Sequence, residues 1–247
     1  MSASQAVPAV MGAEGMLIVN KLQGLTSHDV VQRLRRKLGV RRIGHGGTLD
    51  PMAEGVLVLL VGRATKQLSM IHAYRKCYEA VITLGAQTQT ADAWGEVIRS
   101  APVPVLSRAE VDAGLAALKG THAQVPPAFS AVKVRGRPLY WWARHGQPQT
   151  VAPRAITVFS VELLHWATPH LTCRVECSTG TYVRALAERV AEGLGTVGHL
   201  SALTRISVGP WHLHDACDLA WVEQSSREDV LRALQPLTGD DAHSHRT

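Results

Sequence analysis

The stretch "RRIGHGGTLDPMAEGVLVLLVG" (residues 41–62) sets Asp50 between a glycine-rich bend and a solid apolar run. Gly44, Gly46 and Gly47 let the backbone bend, and Pro51 restricts the residue before it, so Asp50 falls on a tight, preset turn. The run Val56 to Val61 predicts a strand buried on both faces. A carboxylate at the mouth of such a strand is either a turn former, since Asp-Pro starts many turns, or a reactive group presented by the turn. Taken alone, the stretch favours the turn former.

The rest of the chain sets limits. Its 247 residues suffice for one large domain or two modest ones, and 46% hydrophobic with 19% charged residues describes an ordinary soluble globular protein. No apolar run approaches the roughly 20 residues that cross a bilayer. The start, "MSASQAVPAVMGAEG", lacks the basic and apolar regions of a leader, so a cytoplasmic protein with no membrane association is expected. Cys77, Cys173, Cys177 and Cys217 form no C-x-x-C pair, and Cys173 and Cys177 lie too far apart along a strand to bridge. Reduced thiols are expected. The pairs His212/His214 and His243/His245 have no clear third ligand nearby, so no metal site is expected.

Charge points to a partner. Lys and Arg number 26 against 20 Asp and Glu, and "RLRRKLGVRR" (33–42) holds six basic residues and no acidic one. It belongs to a predicted helix starting near Ser27, with Val30, Val31, Leu34 and Leu38 on one side and Arg33, Arg35 and Arg36 largely on the other. A basic helix face is usually solvated surface. Here it leads into the glycine loop, so a polyanion along it would lie beside Asp50.

Elsewhere the order of elements reads as mixed α and β. "MLIVN" predicts a strand, 63–75 a helix, and 77–85 a strand with Tyr78, Ala80, Ile82 and Leu84 on one face. A polar loop, "AQTQTADAWGE", follows. Residues 107–120 predict a helix opened by a Ser107/Glu110 capping box and ended by Gly120. The segment "QVPPAFSAVKVRGRPLYWWARHG" (124–146) combines prolines, aromatic and basic residues. It reads either as a hairpin and helix with core aromatics or as part of a nucleic-acid groove. "AITVFSVELLHW" and "LTCRVEC" predict antiparallel strands, and "STGTYVRALAERVAEGLG" turns through Gly180 into a helix with Leu186, Val190 and Leu194 on one face.

Taken together, "GMLIVNKLQGLTSHDVV", "GHGGTLDPMAEGVLVLLVGRATK", "KCYEAVITLGAQTQTADAWG", the 124–146 segment, "VECSTGTYVRALAERV" and "GHLSALTRISVGPW" resemble, in that order, the TruB family of tRNA pseudouridine synthases. The G-T-L-D-P and G-T-Y-V-R segments carry most of the likeness. The resemblance implies an α+β pseudouridine synthase fold: a mixed, mostly antiparallel central sheet flanked by helices, with a central catalytic cleft. It implies isomerisation of the T-loop uridine, position 55 of tRNA, after base flipping, with Asp50 as the nucleophilic aspartate, Tyr78 as the active-site tyrosine and Arg184 as the arginine that pairs with the aspartate. It further matches Leu203 to the wall of the uracil pocket, His45 to a histidine that holds or replaces the flipped base, and Lys21 to a lysine of the first motif. Arg33, Arg36, Arg41, Arg42 and Lys133 are the expected RNA contacts. No metal or organic cofactor, no obligate protein partner and a monomer are implied.

The departures are Asn20 and Leu22, where the family usually has D-K-P, Gln89 and Trp94 in place of common acids, and Arg189 in place of Asp. None removes a proposed catalytic group. Residues 1–14 are expected to be flexible, 15–236 to form the catalytic domain, and 237–247 to be a disordered tail too short for the RNA-binding PUA domain of many family members. A non-catalytic tRNA-folding protein would share the basic surface and the stacking groups. Only an isomerase requires an ionised Asp50 paired with Arg184.

Overall fold

A computed structural model describes residues 12–237. The expected flexible start and disordered tail fall almost wholly outside the described residues, as does the His243/His245 pair. The described chain forms two compact units, one running to Arg75 and resuming at Thr204, the other Lys76–Leu203.

In the first unit the apolar run becomes the strand Glu54–Val61. It pairs antiparallel with Gly15–Lys21, Met16 opposite Leu60 and Val19 opposite Leu57, and with the short strand Ile43–His45. The end of the strand Gly198–Val208 lies parallel to it, and Cys217–Asp218 lies parallel to Gly15–Lys21. Because successive side chains point to opposite faces, the run is covered twice. Leu57, Leu59 and Val61, with Leu17 and Val19, meet Val30, Val31, Leu34 and Leu38 of the helix Ser27–Leu38 and Leu219, Val222 and Val230 behind it. Val56, Val58 and Leu60 meet Ile71, Tyr74, Val208 and Trp211 on the other side. Each such side chain contributes roughly 1.5–3 kcal/mol on burial, so the strand is held from both faces as its composition requires.

The helix Ser27–Leu38 starts at Ser27, as expected. Thr26 is the cap: its hydroxyl accepts from the Asp29 N–H at 3.1 Å while Asp29 accepts from the Thr26 N–H at 2.9 Å. Ser27 is buried and its hydroxyl is used elsewhere. The single helix expected over 63–75 is two pieces, a 3-10 turn Gly62–Gln67 and an α-helix Leu68–Ala73. The Thr65 hydroxyl donates to Gly62 O at 2.8 Å and tightens the first piece. Tyr74 then leaves the helix in extended backbone, with its ring edge-on to Trp211 at 5.3 Å.

The second unit is an antiparallel sheet. Lys76–Leu84 pairs with His170–Cys177, which pairs with Arg154–Ala167, which pairs with Gly120–Gln124. Tyr78, Ala80, Ile82 and Leu84 share its buried face, as their alternation predicts. The Ser107/Glu110 capping box forms, but the helix is only Arg108–Ala116. Gly120 does not end it; at φ +104° it turns the chain into the edge strand, opposite Val158. The polar loop after residue 85 is bounded by a hairpin of Ala86–Thr88 and Val97–Ser100. Residues 124–146 do contain a hairpin, Lys133–Val134 with Arg137–Pro138, followed by the helix Leu139–Arg144. Their aromatics do not fill a core: Leu139 is buried, Trp141 and Trp142 are half-buried, and Tyr140 is 43% exposed.

All four cysteines are free thiols, and burial pushes Cys173 and Cys177 up to about 12, which leaves them unreactive. Among the described residues no helix is long and apolar enough to cross a membrane, and no group of three His, Cys, Asp or Glu side chains is placed to hold a metal ion.

Candidate active site

The Asp50 loop is fixed by main-chain bonds before any chemistry is considered. The Asp50 carbonyl accepts from the Ala53 N–H at 3.0 Å, closing the expected Asp-Pro turn, and the Pro51 carbonyl accepts from Gly24 N–H at 2.9 Å. On the other arm, the Gly46 N–H donates to Val58 O at 2.8 Å. Gly46 has a reason beyond flexibility: a Cβ there would collide with Ile71 Cγ2. Gly47 takes φ +143°, which other residues resist. The Leu49 N–H donates to the buried Ser27 hydroxyl at 2.8 Å, so the helix start holds the residue next to Asp50.

Two cations are buried beneath this turn. Lys21 is 0% exposed, and its Nζ donates to Leu22 O at 3.0 Å and Leu25 O at 2.8 Å. Burial lowers its pKa to about 8 against the pull of the Asp50 charge, with the Arg205 charge adding to the lowering. Its ammonium is therefore committed to holding the chain after the first strand. Arg205 is 2% exposed and reaches three carbonyls of the loop, Val56 O at 2.8 Å, Gly47 O at 3.1 Å and Thr48 O at 3.3 Å. His45 is half-buried, and its Nδ1 accepts from the Gly47 N–H at 3.4 Å. Burial first, then the charges of His72 and Arg205, lower its pKa to about 4, so the ring is neutral at pH 7.

The other expected groups, Tyr78, Arg184 and Leu203, belong to the second unit. Tyr78 lies on the buried face of its strand, opposite Val175. Arg184, on the helix Val183–Gly193, is 3% exposed. Its Nη1 donates to Thr90 O at 2.7 Å and its Nη2 to Phe129 O at 2.9 Å, while Nε stands 3.8 Å from the Asp92 carboxylate. That rules out the exposed helix charge which Arg184 would otherwise suggest. Asp92 is itself fixed, accepting from the Thr90 hydroxyl at 2.6 Å and the Trp94 N–H at 3.1 Å. Leu203 is buried near the middle of the strand Gly198–Val208.

The expected RNA contacts divide. Arg36, Arg41, Arg42 and Lys133 are exposed, with Arg42 Nε donating to the Thr65 hydroxyl at 2.6 Å. Arg33 is tied to Glu223 at 2.6 Å. The sequence does not single out Asp92 or Arg205, and it marks Ser27 only as a helix start, without its bond to Leu49. Arg205 stands two residues after Leu203 in "SALTRI" and Asp92 inside "TADAWG", both in motifs read for other residues.

Residues 35–183 match the TruB family pseudouridylate synthase, N-terminal domain. The chain belongs to that family. It is 44% identical over 224 residues to a tRNA pseudouridine synthase B of Opitutus terrae, covering 91% of this chain and 93% of that protein. To the protein of the same name from Nocardia farcinica it is 50% identical over 237 residues, covering 92% and 78%. Among solved structures, a Cbf5-Nop10-Gar1 complex contains a chain that superposes with a TM-score of 0.68 at 26% identity. The match covers 90% of this chain and 60% of that one. The TruB chain thus has the α+β pseudouridine synthase fold, with the mixed, mostly antiparallel strand pairing described above.

Proposed function

We propose that the chain is a tRNA pseudouridine synthase that isomerises the T-loop uridine, position 55 of tRNA, with Asp50 as nucleophile. The observation that carries this reading is the Asp50 turn, a carboxylate on a rigid, multiply bonded loop in a chain whose relatives are named tRNA pseudouridine synthase B. The reaction breaks the bond between ribose C1′ and uracil N1, turns the base and joins C1′ to C5, moving a proton from C5 to N1. Nothing is added overall. An ionised carboxylate suffices, by attack on C1′ or C6 or by removal of the C2′ proton, provided it is held close and dry.

Arg184 serves by keeping that carboxylate charged and oriented through charge-assisted bonds, against the desolvation that would neutralise it. The carbonyls of Thr90 and Phe129 and the Asp92 carboxylate fix its guanidinium for the task. Tyr78 offers a flat face for uracil and a phenol to assist loss of the C5 proton. Leu203 lines the pocket. Turning a stacked uridine out of its loop costs a few kcal/mol; the neutral ring of His45 fills that space, and Lys21 holds the stretch from Leu22 to Leu25, whose Gly24 N–H bonds the turn at Pro51 O. The exposed Arg36, Arg41, Arg42 and Lys133, with Arg33, meet phosphates. The span 15–236 acts as one catalytic domain, as a monomer in the cytoplasm, with no metal, organic cofactor or protein partner.

The test is an unmodified tRNA transcript incubated with the chain alone and mapped base by base. One T-loop uridine converted to pseudouridine is expected. Tight tRNA binding without pseudouridine would favour a tRNA-folding protein instead, and conversion outside the T-loop would overturn the site.

A further inference from the structure

The Asp50 loop leaves the sheet after His45 and returns at Glu54, and one buried side chain holds both of its arms. Gly47 and Thr48 lie before Asp50 and Val56 after it; the guanidinium of Arg205 bonds the carbonyls of all three. A planar fork with donors at fixed angles suits such a task, whereas a lysine carries a single point of attachment. Burying a charge is costly, and an apolar side chain of similar volume usually fills such a space at less cost. Arg205 is nevertheless almost wholly buried, and the acceptors it bonds are main-chain carbonyls of the loop.

The backbone is cut to fit this contact. In the parallel pair, Thr204 stands opposite Glu54 and Arg205 opposite Gly55. Gly55 is at φ +107°, and a Cβ there would collide with Arg205 O and lie 2.8 Å from Arg205 N. The missing side chain lets the Arg205 backbone close on the strand, from which its side chain turns back under the loop. The same charge bears on Lys21 and His45, pushing both towards their neutral forms.

We propose that Arg205 is a positioning residue for the isomerisation: its guanidinium clamps the two arms of the loop and so sets the direction of the Asp50 carboxylate. The inference rests on the reading of Asp50 as the nucleophile. Arg205 does not touch substrate in this account; it acts through the main chain at Gly47, Thr48 and Val56.

The experiment compares wild type with Arg205→Lys and Arg205→Gln by tRNA affinity, melting temperature and single-turnover pseudouridine formation at saturating tRNA. A displacement of about 1 Å at a reacting group costs on the order of 100-fold in rate, and a loss of about that size is expected in both variants. Affinity should stay within about threefold of wild type, because the phosphate contacts that dominate it are untouched. Added methylguanidinium is expected to recover part of the rate of Arg205→Ala, a response that a general packing defect does not give. Wild-type single-turnover rates in Arg205→Lys and Arg205→Gln would overturn the inference, as would a loss lying wholly in affinity. Should Arg205→Ala not fold, the lysine and glutamine variants decide the matter. A wild-type chain that forms no pseudouridine would overturn the tRNA reading together with the inference built on it; wild-type turnover with undiminished variants would overturn the inference alone.

Discussion

The Asp50 loop and the 124–146 segment are both irregular stretches rich in glycine or proline, yet they spend their polar and aromatic groups in opposite ways. In the loop, Gly46, Leu49, Asp50 and Pro51 each make a long-range or turn bond through the main chain, and Arg205 collects three more carbonyls. In the segment Gln124 and Phe129 bond distant partners, but the hairpin and helix that follow are closed by short-range bonds, Leu139 N–H to Val132 O at 2.8 Å and Trp142 Nε1 to Val134 O at 3.1 Å. Its rings and cations stack on one another, Arg137 over Trp141 at 4.7 Å and Trp141 on His145 at 4.0 Å. A reacting carboxylate must be held to a fraction of an ångström, and the loop's bonds meet the requirement that the proposed role of Asp50 sets. What the segment exposes is charge, at Lys133, Arg135, Arg137 and Arg144, and the ring of Tyr140.

Substitutions sharpen the contrast. Gly46→Ala should give the largest effect, because its methyl collides with Ile71; overpacking of this kind costs about 1–3 kcal/mol. Denaturant unfolding would register that loss, and turnover should fall with it. Ser27→Ala leaves the buried Leu49 N–H without its 2.8 Å acceptor, a cost of about 1–3 kcal/mol, so a melting temperature equal to wild type would break the claim that the helix start anchors the loop. Tyr140→Ala, in the segment, should leave unfolding nearly unchanged and weaken tRNA binding by about tenfold, the scale of one lost base stack. The opposite pattern, lost stability with full affinity, would place Tyr140 in packing alone.

The loop also carries a pH signature. His45 titrates near 4 when folded, against 6.5 as its ordinary value, because burial disfavours its charged form. Between these values the unfolded chain binds a proton that the folded chain does not, so stability is full above pH 6.5 and declines as the pH falls towards 4. Melting temperatures measured across this range should fall less steeply in His45→Gln than in wild type. The smallest effect belongs to the surface: Arg33→Ala breaks an exposed pair with Glu223 and should change stability by no more than about 1 kcal/mol.

Much of the fold is legible in the residues, and the exceptions have physical causes. Val56–Val61 reads as doubly buried because an unbroken apolar run leaves no face for water, and Tyr78 to Leu84 reads as half-buried because it alternates. The helix start near Ser27 is legible too, but the anchoring of Leu49 by the Ser27 hydroxyl is not, because the two residues are distant in sequence. Gly120 carries the signature of a helix end but serves a strand start, since both uses need positive φ. Residues 63–75 have the composition of one helix, yet a threonine bond and the burial of Tyr74 shorten it. Within the candidate site, the turn that carries Asp50 is legible from its glycines and proline, whereas the nucleophile role proposed for it comes from the family resemblance. Arg205 and Asp92 are not legible, because what they hold is fixed by pairings such as Arg205 with Gly55 and Asp92 with Leu200, distant in sequence.

In the proposed function the loop presents one reacting carboxylate. Asp50→Asn keeps the shape of the side chain and removes its charge, so base-mapped pseudouridine formation on unmodified tRNA, run beside a tRNA binding measurement, tests the claim most directly. No pseudouridine with binding preserved is expected; pseudouridine formed at the wild-type rate by Asp50→Asn would contradict Asp50 as the nucleophile.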